Sequence, residues 1–285
     1  MTTTINLQTW EEFETAVARD LRFQWDWDIE MGVYPRIWRG QADAEWPLAT
    51  TLERAVGRDL RLRDYLYLMS SVVPEVETFT GKEWAFPSLD VLNAWLNDHS
   101  AANVEKILEG FMVYLRHHQF PSPLLDWSVS PYIAAYFACR EVQNRSDGLA
   151  IYAASTQPVL EPRHPLGPAD AGVTHIFQDA VRTTTRHFLQ QSVYTYCTRR
   201  VGDESRYVSH EEVYGPEERD EILVKYVIPS SERGNALLAL HAYNINSYAL
   251  FGTQEALLET AFLKNFALAS ARKSRHPEKD WRLWP

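Results

Sequence analysis

The glycines, histidines, cysteines and carboxylates of this chain define the reactions open to it, and their spacing removes most of them. The 12 glycines are so dispersed that no two lie within four positions of each other, which excludes a dinucleotide fingerprint, and no Gly-Lys-Ser/Thr run occurs, which excludes a P-loop. Any nucleotide must be held without a glycine cradle. His117 and His118 are neighbours on a predicted helix and point about 100° apart, so they do not form the same-face pair of a zinc helix. Cys139 and Cys197, the two cysteines, both sit in apolar runs, which excludes a disulfide scaffold or a cysteine-rich zinc site and assigns them to the core. Neither a G-x-S-x-G elbow nor a local cysteine-nucleophile signature occurs, and no carboxylate pair stands out as a glycosidase couple. No metal is expected.

The bulk numbers narrow the partners. With 285 residues and 45% hydrophobic content the chain can bury a large core, and length alone admits one domain or two. Its 28 basic residues stand against 38 acidic ones, and the net charge of −10 repels a phosphate backbone, so nucleic acid is not an expected partner. The N-terminus has no basic region followed by an apolar stretch, and no segment has the uninterrupted apolar length of a membrane span. A cytoplasmic protein without membrane contact is expected.

Elements that could position chemical groups follow from periodicity. Thr9-Trp10-Glu11-Glu12 reads as a capping box, and Trp10, Phe13, Val17 and Leu21 continue it as an amphipathic helix over about 9–30. A short strand follows at Arg36-Ile37-Trp38-Arg39-Gly40-Gln41, with Ile37 and Arg39 on one side and Trp38 on the other. Residues 51–98 are helical, with Pro74, Gly81 and Pro87 as interruptions. Asn103 is the predicted cap of a helix whose stripe of Val104, Ile107, Leu108, Phe111 and Leu115 runs to His117. Ser130-Pro131 opens a nearly all-apolar helix from Tyr132 to Arg140, and Leu149–Ala154 is a strand. Residues 155–178, with Pro158, Pro162, Pro165 and Pro168, are expected to form a long loop. Further strands are expected at Val193–Thr198 and Ile222–Ile228, helices at Ser231–Tyr243 and Thr253–Phe266, and a basic tail at Arg272–Arg282.

Four blocks of this sequence, in order, resemble the FRG-domain family. The first is Trp38-Arg39-Gly40-Gln41, the aromatic-Arg-Gly motif, continued by Trp46-Pro47-Leu48 and Thr51-Leu52-Glu53-Arg54. The second runs from Leu115-Arg116-His117-His118 through Pro121-Ser122-Pro123-Leu124-Leu125-Asp126-Trp127-Ser128 to Ala134-Ala135-Tyr136-Phe137-Ala138. Arg186–Tyr194, with Gln190, is the third and Ala249-Leu250-Phe251-Gly252 the fourth. Three positions depart from the family pattern: Pro123 stands where an Arg usually precedes Leu-Leu-Asp-Trp, Arg116 where a Gln precedes the His, and Ser192 where the third block has Gly.

The family is similar in layout to ADP-ribosyltransferases and occurs among bacterial mobile-element and defence-type proteins. The resemblance implies an α+β or mixed α/β fold: one compact domain with a central split β-sheet flanked by helices. Its N-terminal helix would span 9–30, its core 31–266 and its basic tail 267–285. It also implies a cleft in which Arg39, Asp126 and Gln190 act on NAD, with His117, Trp127, Ser128, Tyr136 and Arg186 as further contacts. The chemistry suits those types. Arg presents a fork of donors to a diphosphate, Trp and Tyr faces stack on nicotinamide, and an amide bonds ribose hydroxyls. Asp126 would orient Arg39 or His117. Gln190 cannot be a base, so a transferase using it would rely on positioning. Two functions remain open at this level: an NAD-using transferase or glycohydrolase, toxin or defence effector, with a protein acceptor; and a non-catalytic module recognising a nucleotide or a protein.

Overall fold

A computed structural model describes residues 3–31, 36–57, 60–98, 102–141, 147–156, 172–177, 185–214 and 223–267. The expected basic tail and the proline-rich stretch 157–171 lie outside the described residues. Eight strands, β1 (Thr3–Asn6), β2 (Arg36–Gln41), β3 (Leu125–Ser128), β4 (Gly148–Ser155), β5 (Val173–Phe177), β6 (Ser192–Val201), β7 (Glu204–Tyr207) and β8 (Leu223–Pro229), make one mixed sheet. Their order is β1-β8-β4-β2-β3-β6-β5, with β7 also on β6. Only β1 and β8 pair in parallel among the described strands.

Registered partners share a face of a sheet. Trp38 lies opposite Ser128 and Ser128 opposite Ser192, so Trp38, Ser128, Ser192 and, two residues on, Tyr194 all point one way. Two helical layers stand side by side on that face. One contains α1 (Trp10–Met31), α6 (Pro131–Arg140) and α9 (Arg233–Ala242), packing Phe13, Ala134, Ala138 and Leu237 on Trp38, Ile151 and Tyr226. The other is built from α3 (Leu62–Thr80), α4 (Leu89–Asp98) and α5 (Ala102–His117), whose Tyr65, Met69, Leu92 and Phe111 cover the half of the sheet bearing Phe177, Tyr194 and Tyr196. The opposite face carries a smaller core of Ile37, Leu125, Trp127, Tyr152 and Val193, closed by Tyr214 of α8 (His210–Tyr214).

Local rules account for the helix ends. In α2 (Thr51–Val56), Thr50 and Glu53 exchange the two hydrogen bonds of a capping box. Ser130 caps α6, accepting from the Ile133 amide, with Pro131 in the first turn. Gly81, at φ 65°, ends α3 in the left-handed conformation that its lack of a Cβ permits.

Three expectations are corrected. Pro74 does not interrupt the helix, because α3 runs through it; Pro74 is exposed, on the side where water can hydrate the carbonyl that loses its donor. Residues 173–177 are an edge strand rather than loop, held by main-chain bonds to β6 that no local pattern announces. Asn103 lies inside α5 rather than before it. Missed in the sequence were β1, β3, β7, α8 and α10 (Ser247–Phe251), each four or five residues long and too short to show a period.

Candidate functional site

The Trp-Arg-Gly run of β2 divides its residues by face. Trp38 is buried and stacks on Tyr226 with centroids 6.1 Å apart. Gly40 lies under α6, where a Cβ would fall 1.9 Å from the Ala134 carbonyl oxygen and 2.6 Å from the Ala138 nitrogen. Only glycine lets the helix settle on the strand so closely. Between them Arg39 points the other way.

β2 and β3 meet through the pair Trp38 and Ser128, with no further pair among the described residues. Beyond it the strands part, and a cleft of about 860 Å³ opens between the two helical layers. The sheet is thus continuous but nearly divided at this seam. The structure brings Arg39, His117, Asp126, Trp127, Ser128 and Gln190 together along the cleft. Tyr136, on α6, is buried in that helical layer outside the cleft lining, and Arg186 is exposed beside the lining residue Phe251.

The expected contact between the Arg39 guanidinium and the Asp126 carboxylate is corrected. Asp126 shares the face of Trp38, whereas Arg39, one residue on from Trp38, begins on the opposite face. The guanidinium therefore reaches only the seam, where Nη1 donates to the main-chain carbonyl of Asp126 at 2.6 Å. The carboxylate pairs with Arg116 from the end of α5, whose Nη2 and Nε both donate to Oδ2, at 2.6 and 3.1 Å.

The cleft is cationic in an acidic protein. Burial lowers Arg39 from 12.5 to about 10; Asp126 opposes the shift, and Arg116 and Arg54 add to it. Arg39 stays charged at neutral pH, yet its buried Nε has no hydrogen-bond partner. Arg54, also in the lining, donates from Nη1 to the Ala49 carbonyl at 2.9 Å. Arg140 is held by both oxygens of Glu259, at 2.8 and 2.9 Å, and lies over the Phe251 ring at 4.6 Å. Arg186 covers the same ring at 5.5 Å. Phe137 and Phe251 meet edge to face at 6.1 Å and line this end of the cleft.

Other predicted residues have partners of their own. Trp127 is buried, its Nε1 donating to Thr195 Oγ1 at 2.7 Å, and the same oxygen bonds His210 Nε2 at 2.7 Å. Ser128 Oγ donates to the Gln190 carbonyl at 2.9 Å, and Gln190 Nε2 donates to the Leu250 carbonyl at 3.2 Å. The 190 turn is thereby fastened to β3 and to α10. His117 Nε2 and His187 Nδ1 lie 3.0 and 3.3 Å from the Tyr194 hydroxyl. Burial lowers the His117 pKa, Asp126 opposing and Arg116 assisting, so the ring is neutral at pH 7. Among the described residues no cluster of three or more His, Cys, Asp or Glu could hold a metal.

Arg54, Arg116, Phe137 and Phe251 belong to the cleft without having been expected there as ligand groups. Each sits inside a motif block already noted, and only the pairing of strands and helices shows which of its residues face the seam. Fold and site define a mixed α/β protein with an arginine-lined cleft where its sheet nearly divides. Residues 35–147, the span from β2 through α6, match the family model of the FRG domain. The blocks at Arg186–Tyr194 and Ala249–Gly252 lie beyond the matched span. No curated protein and no solved structure matches the chain. No described helix is long and apolar enough to cross a membrane.

Proposed function

We propose that the cleft binds an NAD-type dinucleotide and that the protein acts on it as an ADP-ribosyltransferase or NAD glycohydrolase. The observation that carries this reading is Arg39: a charged guanidinium, half-buried, facing the cleft with one main-chain partner and an unmatched Nε. An anion relieves that arrangement, and a diphosphate fits the guanidinium fork. Phe137 and Phe251 provide an apolar corner for a planar base, and Gln190, with Nε2 committed to Leu250, keeps its amide oxygen for a ribose hydroxyl.

The reaction breaks the bond between C1′ and the nicotinamide nitrogen. The bonding electrons leave with nicotinamide, and water or an acceptor group adds to C1′ and releases a proton. His117, neutral and in the cleft, is the base suited to take it. Consumption of NAD or modification of a protein acceptor by such chemistry would suit a bacterial toxin or defence effector.

The second reading, a module that recognises a nucleotide or a protein without chemistry, is favoured by the commitment of the Asp126 carboxylate to Arg116. Calorimetric titration with NAD and ADP-ribose, followed by assay of nicotinamide release, separates the two. Binding with release supports the enzyme, binding without release supports the module, and no binding at millimolar ligand refutes both nucleotide readings.

A further inference from the structure

We infer that Arg54 is the second arm of a diphosphate clamp whose first arm is Arg39. The inference rests on the nucleotide reading above and adds to it a residue and a charge. Arg54 stands in the last turn of α2, a helix held in place at both its start and its side. Thr50 N donates to Glu53 Oε2 at 2.7 Å and Glu53 N to Thr50 Oγ1 at 3.1 Å. The Leu52 amide and the Thr51 hydroxyl donate to the Ser122 carbonyl at 3.1 and 3.2 Å, while Ser122 N donates to Thr51 Oγ1 at 2.9 Å. Leu52 is buried beneath. The arginine is therefore carried to the cleft on a rigid mount, the arrangement that reduces the entropy lost on binding.

Its charge is left over. Glu53, the nearest carboxylate in sequence, is used in the capping box, and Arg54 itself has the Ala49 carbonyl and no carboxylate among the described residues. Arg39 likewise has no carboxylate partner among them. Arg116 and Arg140, the other arginines of the lining, are paired with Asp126 and Glu259. Two guanidiniums without a carboxylate hydrogen-bond partner among the described residues thus face one cleft, whose lining also holds Asp126 and Glu141, in a chain that has ten more acidic than basic residues. Both groups are positive, and the field of Arg54 is felt at the half-buried Arg39. A ligand with two linked anionic groups can meet both; a diphosphate has two, whereas a monophosphate has one.

The test is calorimetric titration of wild type, Arg54→Gln and Arg39→Gln with inorganic pyrophosphate, inorganic phosphate, ADP-ribose, NAD and nicotinamide riboside. Arg54 is exposed, so the Gln variant is expected to melt with the wild type; should it fail to fold, Arg54→Met takes its place. Loss of a charge-assisted contact predicts that Arg54→Gln weakens pyrophosphate and ADP-ribose by about tenfold to a hundredfold. Binding of nicotinamide riboside, which carries no phosphate, is expected to be unchanged. If Arg54→Gln binds ADP-ribose as well as wild type, the clamp is refuted while the nucleotide reading stands. If wild type binds pyrophosphate through both arginines but neither NAD nor ADP-ribose, the clamp stands and the nucleotide reading falls. Failure to bind any of the phosphates removes both.

Discussion

Replacing Arg39 with Met is expected to leave the protein at least as stable as wild type while destroying its ligand site. Burial drops the Arg39 pKa from 12.5 to about 10, which means that the folded state disfavours the charged form. At ~1.4 kcal/mol for each pH unit, the drop corresponds to roughly 3 kcal/mol, less a discount for partial exposure. The sign is fixed by linkage. A depressed pKa gives its full stability only above 12.5, so at pH 7 the wild type bears the whole penalty. Against this, Met forfeits the bond to the Asp126 carbonyl, worth about 1.5–3 kcal/mol for a charged donor. The balance lies between zero and about 1.5 kcal/mol in favour of the variant. A buried ion pair truncated on one side would instead cost about 3–5 kcal/mol. Urea unfolding followed by the fluorescence of the ten tryptophans reads the difference directly. Destabilisation by about 2 kcal/mol or more, with ligand affinity retained, would refute the reasoning and make Arg39 part of the scaffold.

Two further outcomes follow from the same geometry. Gly40→Ala is expected to cost at least about 3 kcal/mol, the upper end of overpacking, because the added Cβ meets main chain of α6 that cannot rotate aside; a thermal melt shifted by less than about 0.5 kcal/mol would disprove the close approach. His210 is buried, and burial together with the Arg39 charge lowers its pKa from 6.5 to about 3. The unfolded chain takes up that proton first, so this contribution is complete above pH 6.5 and is lost as pH falls toward 3, by roughly 5 kcal/mol in all. Urea midpoints at pH 7 and pH 4 should therefore converge more closely in His210→Gln than in wild type, and equal pH dependence in the two would disprove it.

Much of the scaffold was legible because it obeys local rules. The Ser130-Pro131 cap with its apolar run specifies α6, and the alternation through Ile37, Trp38 and Arg39 specifies β2 and its two faces. Elements stabilised by their neighbours were not legible. β3 is four residues long and β5 an edge strand, and both exist through main-chain bonds to β6, whose formation depends on residues distant in sequence. Pro74 misled for a related reason: its cost depends on whether the deprived carbonyl is buried, which is a fact of packing.

What the sequence determined by itself is the identity of the motif residues and the side of β2 on which each begins, since alternation along a strand is a property of the backbone. The partners of those residues were decided by tertiary structure. Whether Arg39 meets a carboxylate or a carbonyl depends on where β2 and β3 separate, and that point is set by α6 pressing on Gly40 and by the single pair Trp38 and Ser128. Arg116 occupies the Asp126 carboxylate because α5 ends above β3, and Arg54 is left with a main-chain carbonyl and no carboxylate among the described residues, Glu53 capping its own helix. Charges 10, 62 and 72 positions apart (Arg116 to Asp126, Arg54 to Arg116, Arg54 to Asp126) acquire their meaning only when the chain has folded, because electrostatic energy depends on distance through space and on the water excluded between the groups.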